Sequence, residues 1–314
     1  MEKTPSMKAK FAKHFIHFLM HLPRTGTKAL LEKGAQLSQL ELPWHVPRGY
    51  ELTKYDLEDF KIEKLNKIDS NHKTVILHIH GGGFVIGYFN LYRKIAYKYA
   101  KISQADVVSV DYRTAPKHPY PAALDDCLKA FDWLLTEGYK EENIILVGDS
   151  AGGNLVVSLT MRLRDQGRKL PQAIICLSPW LDLTMQGESY QTKLMGDPLF
   201  GKYNEIEEAS LTNGIELFSS YPGEADLYDP YLSPIYGKFN HFPPMLIQVG
   251  TEEILESDSI TAYKLALASG IDVKLTRYEG MFHVFQILFP HLKESKDAWQ
   301  EISLFIEFHL HNKN

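Results

Sequence analysis

The residues able to do chemistry fall in three short stretches. In "NIILVGDSAGGNLVVSLTMRL", residues 143–163, an apolar run ends in Gly148-Asp149-Ser150-Ala151-Gly152 and a helical pattern follows at once. A serine at a sharp strand-to-helix turn is held in a sparsely populated backbone region, and its neighbours two positions away must lack bulk. Ser150 would then head a helix whose unpaired amides and dipole favour negative charge. A tight turn needing small residues is the plain alternative. A serine hydroxyl needs a base to take its proton and donors to hold the oxyanion. "HGGGF", residues 80–84, also follows an apolar run, and its glycines let backbone amides approach a substrate oxygen. Gly81 and Gly82, with the amide of Ala151, are the candidate donors. No lysine follows these glycines, so they do not read as a phosphate cradle. His283, in "EGMFHVF", comes just after the last predicted strand, which brings it to the carboxyl edge of the sheet with Ser150. His118 lies in "APKHPYP", read as structural, and His78 and His80 share a strand face without the further ligands a metal would need. Nucleophile, donors and base together suit acyl transfer.

The elements that must position these residues are legible in the hydropathy pattern. Apolar runs at 74–80, 105–112, 143–148, 173–180, 244–250 and 272–278 read as strands. Helices are expected at 91–103, 121–135, after Ser150, and at 257–269, the second opened by Pro121 and the last closed by Gly270. Strands that are apolar throughout and alternate with helices imply a parallel sheet covered on both faces. Residues 182–236 break that rhythm and read as a functional insertion. Alternation from Tyr55 to Leu65 suggests early strands with a register slip near Asp59, preceded by a hinge at 42–52 containing Pro43 and Pro47. Near the N-terminus, Phe11, Phe15, Phe18, Leu19 and Leu22 share one helical stripe, and His14, His17 and His21 share another. That pattern predicts an amphipathic helix docked on the body, with membrane-surface association as the competing reading and a histidine metal site a weaker one.

Bulk properties narrow the class. The chain has 314 residues, 44% hydrophobic and 23% charged, with a formal net charge of −5, which is ordinary globular composition. Lysine and arginine are spread along it, so neither a nucleic-acid nor an anionic-membrane surface is expected. Cys127 and Cys176 are too few for a disulfide scaffold and read as buried free thiols in a cytoplasmic, reducing setting. No apolar run approaches a membrane span, so stable membrane insertion is not expected.

Six motifs occur in a fixed order: "HGGGF", "DYRTAPKHPYPAALDD" (111–126), "GDSAGGNL" (148–155), "SPWLDLT" (178–184), "DPYLSPI" (229–235) and "GMFHVF" (280–285). In these the chain resembles the hormone-sensitive-lipase-like family of α/β-hydrolase esterases, from about Lys73 to the C-terminal helix. The resemblance implies an α/β class, the α/β-hydrolase fold: a mostly parallel central sheet with helices on both faces and a helical cap. Residues 1–48 would be an N-terminal cap segment and 49–314 the catalytic domain, with a cap insertion at about 185–228. It further implies a Ser–acid–His triad containing Ser150 and His283. Where most members carry Asp-x-Leu for the acid, this chain reads "GTEEILESD" (250–258), which matches Glu253 to that position. Glutamate can still orient and stabilise an imidazolium, and Glu252, Glu256 and Asp258 stay open as alternatives. The implied activity is hydrolysis of short- to medium-chain acyl esters through an acyl-enzyme. A small-molecule ester is the expected partner, no metal or organic cofactor is called for, and a homodimer is left open. Phe11, Phe15, Phe18, Leu199, Phe200 and Phe218 are candidate acyl-pocket residues. An amide or peptide hydrolase on the same fold, or a non-catalytic ligand-binding relative, are the competing readings.

Overall fold

A computed structural model describes residues 4–20, 27–38, 40, 42–70, 73–201 and 220–311. Four short strands without a solvent-facing side are built from the most apolar runs: β3 (Val75–Ile79), β5 (Ile144–Asp149), β6 (Ala173–Leu177) and β7 (Met245–Gly250) are buried at every position. They pair in parallel, with β4 (Asp106–Asp111) beside β3 and β8 (Val273–Tyr278) closing the far edge. The sheet has eight strands in the order β1-β2-β4-β3-β5-β6-β7-β8. β8 alternates between half-buried and exposed residues, as an edge strand with one neighbour should. The early strands are an antiparallel hairpin, β1 (Tyr50–Leu57) and β2 (Phe60–Lys67). The register slip expected near Asp59 is therefore a turn, made by Glu58 at φ 54° and Asp59.

Parallel strands need crossovers, and the helices supply them on both faces. Here α3 (Asn90–Ser103) and α9 (Lys293–His311) cover one face, packing Tyr99, Trp299 and Ile302 over Ile76, Val147 and Ile175. On the other, α4 (Ala122–Thr136), α5 (Ala151–Asp165) and α7 (Glu256–Ala268) bury Phe131, Leu155 and Ala262 with Leu77, Leu146 and Ile247. Two N-terminal helices, α1 (Met7–Met20) and α2 (Thr27–Ser38), precede the hairpin. Within 182–236, between β6 and β7, the described residues hold the short α6 (Ser189–Thr192) and no strand. The last loop carries α8 (Phe285–Leu288). Both cysteines are buried and free. Among the described residues no helix is long and apolar enough to cross a membrane.

The N-terminal helix docks by the opposite face from the one its sequence advertises. Ala9, Ala12 and Ile16 are buried against Met281, Phe282 and Phe285, while Phe11, Phe15, Phe18 and Leu19 are exposed. Small residues on the docking line allow the helix to sit close to the loop that carries His283, and close packing there displaces the aromatic stripe outward. The aromatic side chains at 11, 15 and 18 are thus not placed as pocket lining. Leu22, His21 and Phe218 lie outside the described residues.

Candidate active site

β3, β5, β7 and β8 run in parallel, so their carboxyl ends share one edge, and the functional loops leave from there. The turn after β5 sets Ser150 at φ 53°, ψ −119°, as the cap of α5. A Cβ on Gly148 would stand 2.3 Å from the Gly152 carbonyl oxygen, and one on Gly152 would stand 2.1 Å from the Ile79 carbonyl oxygen. Only hydrogen fits at either position, so the flanking glycines are what let the strand turn so sharply into a helix. The Ser150 amide donates to the Leu177 carbonyl (2.9 Å), and its carbonyl accepts from the Trp180 amide (3.1 Å). Asn154, one turn along α5, donates to the Trp180 and Leu232 carbonyls (2.8 and 2.9 Å), tying three of the sequence motifs into one support.

Four acids competed for His283, and the geometry separates them. His283 Nδ1 lies 3.0 Å from Glu253 Oε2, with both side chains buried. The other oxygen of Glu253 accepts from the Ser178 hydroxyl (2.8 Å) and the Gly250 amide (2.6 Å). Glu252 turns outward to Lys13 of α1 (2.7 Å), and Glu256 pairs with Arg277 (2.5 Å). Asp258 faces inward, accepting from the Leu181 and Asp182 amides and the Tyr190 hydroxyl. Burial raises its pKa well above the usual carboxylate range, with Asp182 adding to the shift, so it is a structural acid.

Side chains to which the sequence assigned no role at the site complete the support. Ser178, at the end of β6 with φ 46°, donates to Glu253 and accepts from the Val284 amide (3.2 Å). Val284 itself sits at φ 44°, an unusual conformation for a β-branched residue, immediately after His283. Asp197, in the insertion, accepts from the Ile254 amide (2.9 Å), directly after Glu253, and from the amides of Leu199 and Phe200. Through that link Phe200 is set edge-on to the His283 ring, centroids 4.9 Å apart, while Leu199 packs on the α1 cluster. Of the proposed pocket residues, Phe200 alone is brought to the imidazole among those described.

The glycine loop differs from expectation by one residue. The Gly81 amide donates to Asp149 Oδ1 (3.2 Å), and a Cβ at Gly81 would collide with that carboxyl group. Gly81 is therefore committed to the wall of the site, whereas the amides of Gly82, Gly83 and Ala151 meet no protein acceptor among the described residues. His80 holds the loop from below: its Nδ1 lies 2.7 Å from the Gly81 carbonyl and its ring stacks on Tyr112 at 4.2 Å. Burial pushes His80 down to about 4, so the ring is neutral at ordinary pH, and His78, held to the Ser109 hydroxyl, is pushed to about 3. Asp149 is raised to about 7 by burial, a shift opposed by His283 and by the Gly81 amide. The His118 amide donates to the Thr114 carbonyl (3.0 Å).

A family model described as alpha/beta hydrolase fold matches residues 76–287. The chain belongs to the α/β-hydrolase family. This hydrolase is 36% identical over 242 residues to an esterase of Acinetobacter venetianus, covering 76% of each chain. It is 34% identical over 231 residues to an acetyl-hydrolase of Streptomyces hygroscopicus, covering 74% of each. Among solved structures it matches an esterase from the bacterial hormone-sensitive lipase family with a TM-score of 0.84 and 31% identity, over 99% of this chain and 100% of that one. These likenesses put the hydrolase in the hormone-sensitive-lipase-like branch.

Proposed function

We propose that this hydrolase cleaves short- to medium-chain acyl esters, with Ser150 as nucleophile, His283 as its base and Glu253 as the acid that orients the imidazole. The class is that of a serine carboxylesterase, as its esterase and acetyl-hydrolase relatives support. The observation that carries the residue assignment is the 3.0 Å contact between His283 Nδ1 and Glu253, on the sheet edge where the Ser150 elbow emerges. It supplies the acid whose absence would have favoured a ligand-binding relative. In this reading His283 takes the Ser150 proton as Oγ attacks the ester carbonyl. The amides of Gly82, Gly83 and Ala151, rather than that of Gly81, hold the resulting oxyanion. His283 then gives the proton to the departing alcohol, and water repeats the cycle on the acyl-enzyme. The N-terminal helices and the insertion act as the cap, with Phe200 bounding the acyl side of the site.

The test is hydrolysis of p-nitrophenyl esters from acetate to palmitate, alongside the matching p-nitroanilides, by wild type and Ser150→Ala. Activity should peak on short acyl chains, be far weaker on anilides, and fall in the variant by on the order of 10⁶-fold. Turnover that survives Ser150→Ala, or none from folded wild type, would overturn the assignment. Faster anilide than ester cleavage would point to amide hydrolysis instead.

A further inference from the structure

The face that α1 turns to solvent is built from Met7, Phe11, Phe15 and Phe18, with Phe11 72% and Phe18 62% exposed and the Phe11 and Phe15 rings stacked. The helix docks instead by Ala9, Ala12 and Ile16 on its opposite side. Between α1 and the loop at Phe289 and Leu292, Met7, Phe11 and Phe15 line a shallow groove of about 400 Å³. Monomeric proteins seldom expose a contiguous apolar patch of this kind without a partner for it. The polar residues of the helix, "MKAKFAKHFIHFLM", include lysines and histidines and no acid. Lys8 lies within the aromatic face and Lys10 and His14 lie on its flank; all three are exposed, and Lys13 is held to Glu252. The even spread of charge along the sequence thus conceals a local cationic, aromatic helix.

We propose that α1 is an interfacial helix that docks the protein on an anionic lipid surface, its phenylalanines entering the headgroup–acyl boundary and Lys8 and Lys10 meeting the lipid headgroups. Exposed aromatics flanked by cations on one short helix have the composition that lipid interfaces select. A second copy of the chain fits less well, because a two-fold contact through this face would bring together two cationic helices with no acid on either to offset them. The helix also sits beside the catalytic edge: it packs on Met281 and Phe282, next to His283, and its Lys13 holds the residue before Glu253. Docking by this face would bring the site toward lipid-dissolved substrates without any membrane-spanning segment. The proposal concerns a surface and stands whether or not the ester reading holds.

The test is co-flotation of the full chain with vesicles of phosphatidylcholine alone and of phosphatidylcholine mixed equally with phosphatidylglycerol, at low and high salt. Wild type should float with the anionic vesicles, less at high salt and less with the zwitterionic ones. Phe11→Ser with Phe18→Ser should cut partitioning by about tenfold per ring, and Lys8→Glu with Lys10→Glu should abolish the preference for anionic lipid at about fivefold per lysine. Both pairs are exposed, so an unchanged far-ultraviolet spectrum and unchanged hydrolysis of p-nitrophenyl acetate are expected. Wild type left at the bottom of the gradient, or the serine variant floating as well as wild type, would overturn the proposal. A dimer by light scattering that dissolves in the serine variant would assign the face to a second copy and overturn it equally.

Discussion

Ser178 shows how much of this site depends on a residue with no catalytic chemistry of its own. Glu253, the proposed triad acid, is one methylene longer than the aspartate usual in the family, and a longer carboxylate has more rotamers to lose. Two donors, the Ser178 hydroxyl and the Gly250 amide, hold Oε1, so that Oε2 is left for His283. Removing the hydroxyl leaves a buried carboxylate oxygen with one donor fewer and the Val284 amide without its acceptor, an imbalance worth about 1–3 kcal/mol. Ser178→Ala is therefore expected to lower kcat by on the order of tenfold with KM nearly unchanged. Steady-state kinetics on a soluble ester checks it; an unchanged kcat would show that Gly250 alone holds the acid. Asp149 is the other residue of consequence at this scale, a carboxyl group against the Gly81 amide where the sequence had suggested a free donor.

Among the elements, the β5–α5 turn is the one that cannot be relaxed. β5 pairs with β3 through Ile79 and Gly148, and α5 starts so close to β3 that the Gly152 Cα lies against the Ile79 carbonyl. Gly152→Ala would drive a methyl group into backbone that has no rotamer to change, so α5 must move off the sheet or the turn must open. Either response costs on the order of 2 kcal/mol and displaces both Ser150 and the Ala151 amide. The expected outcome is a fall in Tm of several degrees together with loss of ester hydrolysis, read by calorimetry and by the p-nitrophenyl assay. A variant of wild-type Tm and activity would refute this account of the elbow.

Across the whole molecule, two neutral imidazoles buried under the sheet make stability depend on pH. The folded pKa values of His78 and His80 are depressed, to about 3 and about 4, below the unfolded value near 6.5. Their contribution is present above about 6.5 and is lost as pH falls toward the folded values, because the unfolded chain takes up the protons first. Asp149 has the opposite sign: its raised pKa makes its burial unfavourable as pH rises through about 7 and relieves it in acid. His78→Gln should keep a partner for Ser109 while removing one of the two acid-sensitive groups. The fall in Tm between pH 7 and pH 4 is then expected to be smaller in the variant than in wild type. Parallel slopes in the two proteins would mean that His78 is not buried neutral.

The strands, the helices that alternate with them and the order of the three functional loops were legible in the sequence, since burial on both faces writes continuous apolar runs and a strained turn demands glycine. The placement of Ser150 and His283 at the carboxyl edge of the sheet was legible for the same reason, each following a strand end. That Glu253, rather than Glu252, Glu256 or Asp258, lies against His283 was not, because four acids within nine residues differ only in where a loop aims them. Neither was the loss of Gly81 to Asp149, a contact between residues 68 positions apart. The face by which α1 docks was misread from its pattern, as periodicity marks apolar residues on a helix without saying which of them meet a surface. Composition and local spacing determined which chemistry this protein could hold. Close approach of distant segments decided which acid, which amides and which helix face are available to it, because those choices depend on distances that the chain acquires only when it packs.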